Sequence, residues 1–448
     1  MRNQFLVFLA FLTITIGRSQ EVVEKARSFT LQEAIDFALE NNYSAINADR
    51  DLIDARKQKW ATIATGLPQI TGAVGYQNQL KQPVSLIPAE FFGGDPGTFQ
   101  PIVFGQPQQM TATATLNQTI FDGSYIVGVQ ATKAFLSYTA NSNEKTDLEV
   151  RKAVTEAYGN VLLANESAAI LEKNKINLEK NLFETSKLYE NGLGDEESVE
   201  QLQITLSSVD NQLKNAIRLK AITLQMLNLT MGIAIDVPTK LGQNLDDLAQ
   251  KQIDLTLLNP EFNVENNIDY KIAMNLNQQR YFEWKLAKSK ALPTLNAFLN
   301  YGSAAYANNF NFFNSDQQWF DSSVLGLNLN IPIFSSGQRS AGTARAKIAL
   351  DKAKTQLTEA EEQIRLQLEQ AKSSYELAIE QYDTAKKNIL LAERIEHKNQ
   401  IKYTEGLASS FELRQAQTQL YDAQQNYLQS MVEVINTKTQ LQTLLNNE

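Results

Sequence analysis

The side chains able to do chemistry are few. His397 is the only histidine, and there is no cysteine. The histidine sits in Glu396-His397-Lys398, on a charged stretch with helical periodicity. A metal cluster or a His-assisted nucleophile needs further groups of this kind within reach, so neither is expected within one chain. His397 is predicted on an exposed helix surface. No Gly-rich loop of the Walker type offers backbone N–H groups to a nucleoside phosphate. Carboxylates are plentiful, and Asp195-Glu196-Glu197 follows the turn residues Asn191-Gly192-Leu193. That trio reads either as a binding cluster or as negative charge favoured in the first turn of a helix. With no constellation to carry a reaction, the chain is expected not to be an enzyme and to hold no cofactor and no metal.

The chain start fixes an expected compartment. Arg2, an apolar run from Phe5 to Ile16 and the small-residue site Gly17-Arg18-Ser19 form a secretory signal peptide over residues 1–19, so the mature chain is expected to begin near Gln20. The alternative is an uncleaved anchor, disfavoured because the run is short and Arg18 interrupts its end. No later segment reaches the roughly twenty apolar residues of a membrane-spanning helix. Without cysteine there is neither a disulfide nor a lipidated N-terminal residue. Any membrane attachment must then come from the fold. The net charge of −9 becomes −11 once Arg2 and Arg18 leave with the leader, which argues against a nucleic-acid partner.

The elements that would position these residues come in two copies. Tyr189-Glu190-Asn191-Gly192-Leu193 matches Tyr403-Thr404-Glu405-Gly406-Leu407 at an offset of 214 residues, and Gly123 matches Gly337 at the same offset. Each half therefore holds a 69-residue step between two glycines. Leu67-Pro68 and Tyr76 match Leu292-Pro293 and Tyr301 at an offset of 225. The resulting division is a first repeat over 20–258, with a helix, a strand hairpin at 67–122, a helical hairpin at 123–232 and a connecting segment at 233–258. The second repeat, 259–448, has a helix, a strand hairpin at 292–334 and a helical hairpin at 337–446.

Between the glycines the beat is seven residues. Leu350, Leu357, Ile364, Ala371, Ala378, Ala385 and Ala392 keep one row, with Leu368, Tyr375, Tyr382 and Ile389 beside it. Beyond Gly406, Leu413, Leu420, Tyr427, Val434 and Leu441 continue the beat, as do Val199, Leu206 and Leu213 in the first half. A strict seven-residue repeat implies left-handed supercoiling. A limb of about 65 residues would be about 100 Å long. Taken alone, this is also an ordinary antiparallel coiled coil.

At the other end of each half lie stretches with a period of two. Ile70, Val74 and Tyr76 alternate with polar or small residues, as do Ala112, Ala114, Leu116 and Ile120. Leu295, Ala297, Leu299 and Tyr301 do the same, followed by Leu325, Leu327, Leu329, Ile331 and Ile333. Each is near the length of a tilted membrane strand, with one aliphatic face and one of Asn, Thr and Gln. A half-exposed soluble sheet has the same alternation. Four strands leave two open edges, which hydrocarbon does not tolerate, so in a membrane several copies must share one barrel. Residues 81–110, rich in Pro and Gly, and the Asn- and aromatic-rich 303–322 are expected as outer loops, the aromatics anchoring, packing or binding a ligand.

In its duplicated order, its Leu-Pro before each strand hairpin and its Tyr-x-x-Gly-Leu helical turns, the chain resembles the TolC family of outer-membrane efflux proteins from Thr30 to Leu444. The resemblance implies a mainly α fold with a small β part, in which tandem helical hairpins form a periplasmic α-barrel. Four strands per copy would contribute to a twelve-stranded transmembrane β-barrel shared by a homotrimer. It implies an outer-membrane exit duct of a tripartite efflux or type I secretion system, fed by an inner-membrane transporter through a periplasmic adaptor protein. Asn191, Gly192, Leu193, Glu405, Gly406 and Leu407 would be the adaptor-docking tips. The family's closed end matches Tyr403, Gly406 and Glu412; Ala408 and Gln415 stand where it has an arginine and a second aspartate, so the gate implied here is Tyr403, Glu412 and Gln415. A non-conducting periplasmic or surface coiled-coil scaffold or adhesin is the alternative.

Overall fold

The computed structural model describes residues 28–259 and 261–446; the expected leader and its cleavage site lie outside them. In chain order the elements are β1 (Ser28–Phe29), α1 (Leu31–Asn41), α2 (Tyr43–Ala64), β2 (Gln69–Asn78), β3 (Val84–Pro88), β4 (Phe99–Val103), β5 (Gln108–Asp122), α3 (Gly123–Glu190) and α4 (Glu196–Met231). They continue as β6 (Lys240–Leu241), α5 (Leu245–Lys251), α6 (Ile268–Ser289), β7 (Thr294–Ala307), β8 (Trp319–Asn330), α7 (Gln338–Thr404) and α8 (Ser410–Leu445). The described residues fall into two compact units, one drawn from 44–149, 257–373 and 441–446, the other from 28–43, 150–256 and 374–440.

The first of these units holds a four-stranded antiparallel sheet in the order β2-β5-β7-β8. Its registers place Ile70, Leu116, Leu299 and Leu325 in one row across all four strands, and Thr71, Thr115, Asn300 and Val324 in the next. Because side chains alternate faces along a strand, the aliphatic rows share one face and the Thr/Asn rows the other. On the polar face the Asn300 amide donates to Thr115 Oγ1 at 2.7 Å. Much of the aliphatic face is bare, Val74 and Leu325 being each 76 % exposed, while Met110 and Ala305 on the same face are buried.

Two details depart from the sequence reading. The β5–β7 register shifts between Thr119 and Phe121, so Ile120 has no partner of its own and Phe121 pairs with Leu295 on the aliphatic face. One extra residue in a strand reverses the parity of everything after it. The second is the end of β8. The ladder stops at Asn330, opposite Thr294, the first residue of β7, leaving Ile331 and Ile333 outside the strand, where Pro332 has no N–H to offer.

The outer segments are also more ordered than turn chemistry suggested. Residues 84–103 form a second hairpin, β3–β4. β7 and β8 extend into the aromatic segment as far as the pair Ala305–Trp319. Phe312 is buried with Met110, Ala305 and Ala307, with Trp319 against them, and Tyr76 meets Phe310 edge-on at 5.3 Å. Packing therefore accounts for Phe312, while Phe313 stays exposed.

In the other unit the seven-residue rows are the core. Ala378, Ala385, Ala392, Tyr375 and Tyr382 of α7 are buried, as are Leu413, Ala416 and Val434 of α8 and Leu202, Val209 and Leu213 of α4. The connecting segment is tied to this core by tyrosine hydroxyls. Tyr158 donates to the Phe29 carbonyl at 2.9 Å, beside the parallel pairing of β1 and β6. Tyr375 donates to the Gln252 carbonyl and accepts the Asp254 N–H, both at 2.8 Å. Among the described residues, no helix is long and apolar enough to cross a membrane.

Candidate gate and docking tips

The two glycine turns are built alike. Gly192 has φ 75° and Gly406 φ 71°, a left-handed conformation that a Cβ penalises. Each turn closes its helix with a carbonyl-capping pair. Gly192 N–H reaches the Tyr189 carbonyl at 2.9 Å and Leu193 N–H the Leu188 carbonyl at 2.8 Å; the second turn repeats this from Gly406 to Tyr403 at 3.0 Å and from Leu407 to Lys402 at 2.7 Å. Nothing lies within 4 Å of a Cβ added at either glycine. Leu193 and Leu407 project from the turns 78 % and 77 % exposed, and Asn191 and Glu405 beside them are exposed as well.

Past each turn a helix begins on a side-chain cap. Asp195 caps α4 by accepting the Ser198 N–H at 2.7 Å, so the first of the three clustered carboxylates is explained by helix capping. At the start of α8 a capping box forms: Glu412 N–H donates to Ser409 Oγ at 3.3 Å, and Glu412 Oε2 accepts the Ser409 N–H at 2.8 Å. The Ser409 backbone and hydroxyl hold the Glu412 carboxyl below the usual carboxylate range. Its exposed side chain is thus already partly committed. The Ser409-to-Glu412 spacing was a signal available in the sequence.

Tyr403 is half-buried, its hydroxyl 2.8 Å from Thr185 Oγ1 on α3. Ser198 donates to Ser410 at 2.8 Å, and Asn181 and Gln400 exchange amide hydrogen bonds at 3.1 and 3.2 Å. These contacts join the first-repeat tip to the second. Gln415 is exposed one turn beyond Glu412 on α8. Thr185, Ser198 and Ser410 were not singled out by sequence, since their partners lie more than two hundred residues away.

His397 is exposed, and among the described residues no group of three or more His, Asp or Glu side chains is placed to hold a metal. A family model described as Outer membrane efflux protein matches residues 34–232 and 272–447. The chain belongs to the outer membrane efflux protein family. The chain is thus an outer membrane efflux protein, and the scaffold or adhesin reading falls away. No curated protein sequence matches it. Among solved structures it is similar to VceC from Vibrio cholerae (TM-score 0.71, 16 % identity, 93 % of this chain and 96 % of that one). It is similar also to CmeC from Campylobacter jejuni (0.73, 17 %, 93 % and 85 %) and to the open state of MtrE from Neisseria gonorrhoeae (0.71, 17 %, 93 % and 89 %). At these identities the likeness carries the fold.

Proposed function

We propose that three copies of this chain, exported by the leader 1–19 and each built of the repeats 20–258 and 259–448, share a twelve-stranded barrel. They form a passive exit duct without chemistry of its own. A periplasmic adaptor, coupled to an inner-membrane transporter, would dock on Asn191-Gly192-Leu193 and Glu405-Gly406-Leu407, while Tyr403, Glu412 and Gln415 line the closed end. The observation that carries the reading is the sheet. β2 and β8 are edge strands, and one face is aliphatic and largely bare. In hydrocarbon such edges must pair, and the partner on hand is the opposite edge of a second copy.

At the closed end, three Glu412 carboxylates would make an acidic ring that attracts cations. The capping hydrogen bonds support this by keeping the carboxyl ionised. Bilayer recordings test it. Glu412→Gln should lower cation selectivity and relieve block by multivalent cations added from the tip side; Tyr403→Phe and Thr185→Val, which remove one hydrogen bond, should both raise resting conductance. Gln415→Cys, made in a chain without native cysteine, should cross-link between copies. Unchanged selectivity in Glu412→Gln together with no cross-linking would place the constriction elsewhere.

A further inference from the structure

A cleft of about 520 Å³ lies beside the end of the sheet where β7 begins and β8 ends, between α6 and the first turns of α7. Its lining includes Trp284, Lys288, Arg339, Ser340, Thr343 and Lys347, and no carboxylate. The ammonium groups of Lys288 and Lys347 lie over the same indole, 4.7 and 5.4 Å from the Trp284 ring centroid. Lys288 has no carboxylate partner among the described residues, and Lys347 shares Asp351 with Lys354. Arg339 is held in place from two sides: Nη1 donates to the Pro332 carbonyl at 2.6 Å and Nε to Ser335 Oγ at 3.0 Å.

The link from β8 to this arginine is apolar and bare, with Ile333 89 % and Phe334 85 % exposed. Lys288 precedes the first residue of β7 by six positions and Arg339 follows the last residue of β8 by nine. The covalent chain thus sets the cations at the boundary where the membrane sheet ends, with apolar side chains on the membrane side of them. Tryptophan and lysine are the residues that sit at such a boundary. The first repeat carries Lys57, Lys59 and Trp60 in the corresponding stretch of α2, just ahead of its own Leu67-Pro68, with Trp60 exposed.

From this arrangement we infer that the Trp284–Lys288–Arg339–Lys347 cleft binds the phosphate of an anionic phospholipid headgroup in the periplasmic leaflet of the outer membrane. The acyl chains would lie against Ile333 and Phe334. The inference rests on the sheet being the membrane-embedded part. A basic cleft alone would take any phosphate; the exposed apolar link beside it selects one that carries hydrocarbon.

The test is lipid retention by the detergent-solubilised full-length channel, read by native mass spectrometry with phosphatidylglycerol, phosphatidylcholine or inorganic phosphate as probe. Phosphatidylglycerol should be held in preference to phosphatidylcholine, and inorganic phosphate should compete weakly. Lys288→Gln with Lys347→Gln should weaken phosphatidylglycerol binding by about fivefold per charge removed, and the corresponding double Lys→Arg variant should restore it. Equal retention by the Gln variant, or inorganic phosphate bound as tightly as the lipid, overturns the inference. Channel conductance is recorded on the same preparations: a Gln variant that conducts normally yet retains lipid unchanged refutes the cleft while leaving the membrane placement of the sheet intact.

Discussion

Tyr158 shows how much a single hydroxyl can organise. Its ring is fully buried and its O–H reaches the Phe29 carbonyl, which also accepts the Gly242 N–H at 2.8 Å. Burial pushes the Tyr158 hydroxyl up from its usual 10 to about 12. A folded-state value above the unfolded one means a contribution to stability that is whole below pH 10 and is lost as pH rises through about 12. Tyr158→Phe should therefore cost about 0.5–1.5 kcal/mol at neutral pH, since Phe29 keeps its second donor. It should also flatten the fall in stability between pH 10 and 12, measured by denaturant unfolding across that range. An unchanged alkaline slope would mean that other groups set it.

Among the elements, α7 depends on small residues at fixed steps. Ala371, Ala378, Ala385 and Ala392 are all buried on one row, and the row beside it carries the large Tyr375 and Tyr382. Tyr382 in turn stacks on Tyr427 of α8 at 5.7 Å. Small residues opposite aromatic ones let two helices approach while the rings fill the remaining space. Ala378→Leu adds volume where there is none and should destabilise by about 1–3 kcal/mol. Leu377→Ala, on the exposed neighbouring position, should stay within about 0.5 kcal/mol. Thermal unfolding of the two variants under one set of conditions separates them.

For the whole molecule the decisive property is a sheet whose two faces suit two solvents. Leu325 and Val324 are adjacent on β8 at the same depth, yet the registers put Leu325 with Ile70, Leu116 and Leu299, and Val324 with Thr71, Thr115 and Asn300. In a transmembrane barrel, a lysine facing hydrocarbon near mid-depth costs about 2–4 kcal/mol, while one facing a water-filled lumen costs little. Leu325→Lys should reduce the heat-labile oligomer recovered from the outer membrane, and Val324→Lys should not. Equal recovery of both would mean that the aliphatic face does not meet lipid.

The sequence by itself determined what depends on local periodicity. The seven-residue rows of α7 and α8 were readable because 3.6 residues per turn returns every seventh side chain to one face. The strand faces were readable because alternate residues oppose, and the two turns because Gly192 and Gly406 end equal 69-residue steps. Only the tertiary structure decided that Phe121 joins the aliphatic face, since that depends on where a bulge lets β5 fit β7. It likewise decided that Tyr403 meets Thr185 and that Lys288 and Lys347 share Trp284. Glu412 lies between the two cases: its role as a helix cap was written in the spacing to Ser409, whereas its neighbours across the tip were not. Periodicity is a property of one chain segment's geometry. Partner choice across two hundred residues is settled by how whole helices dock, and no short window of sequence encodes that.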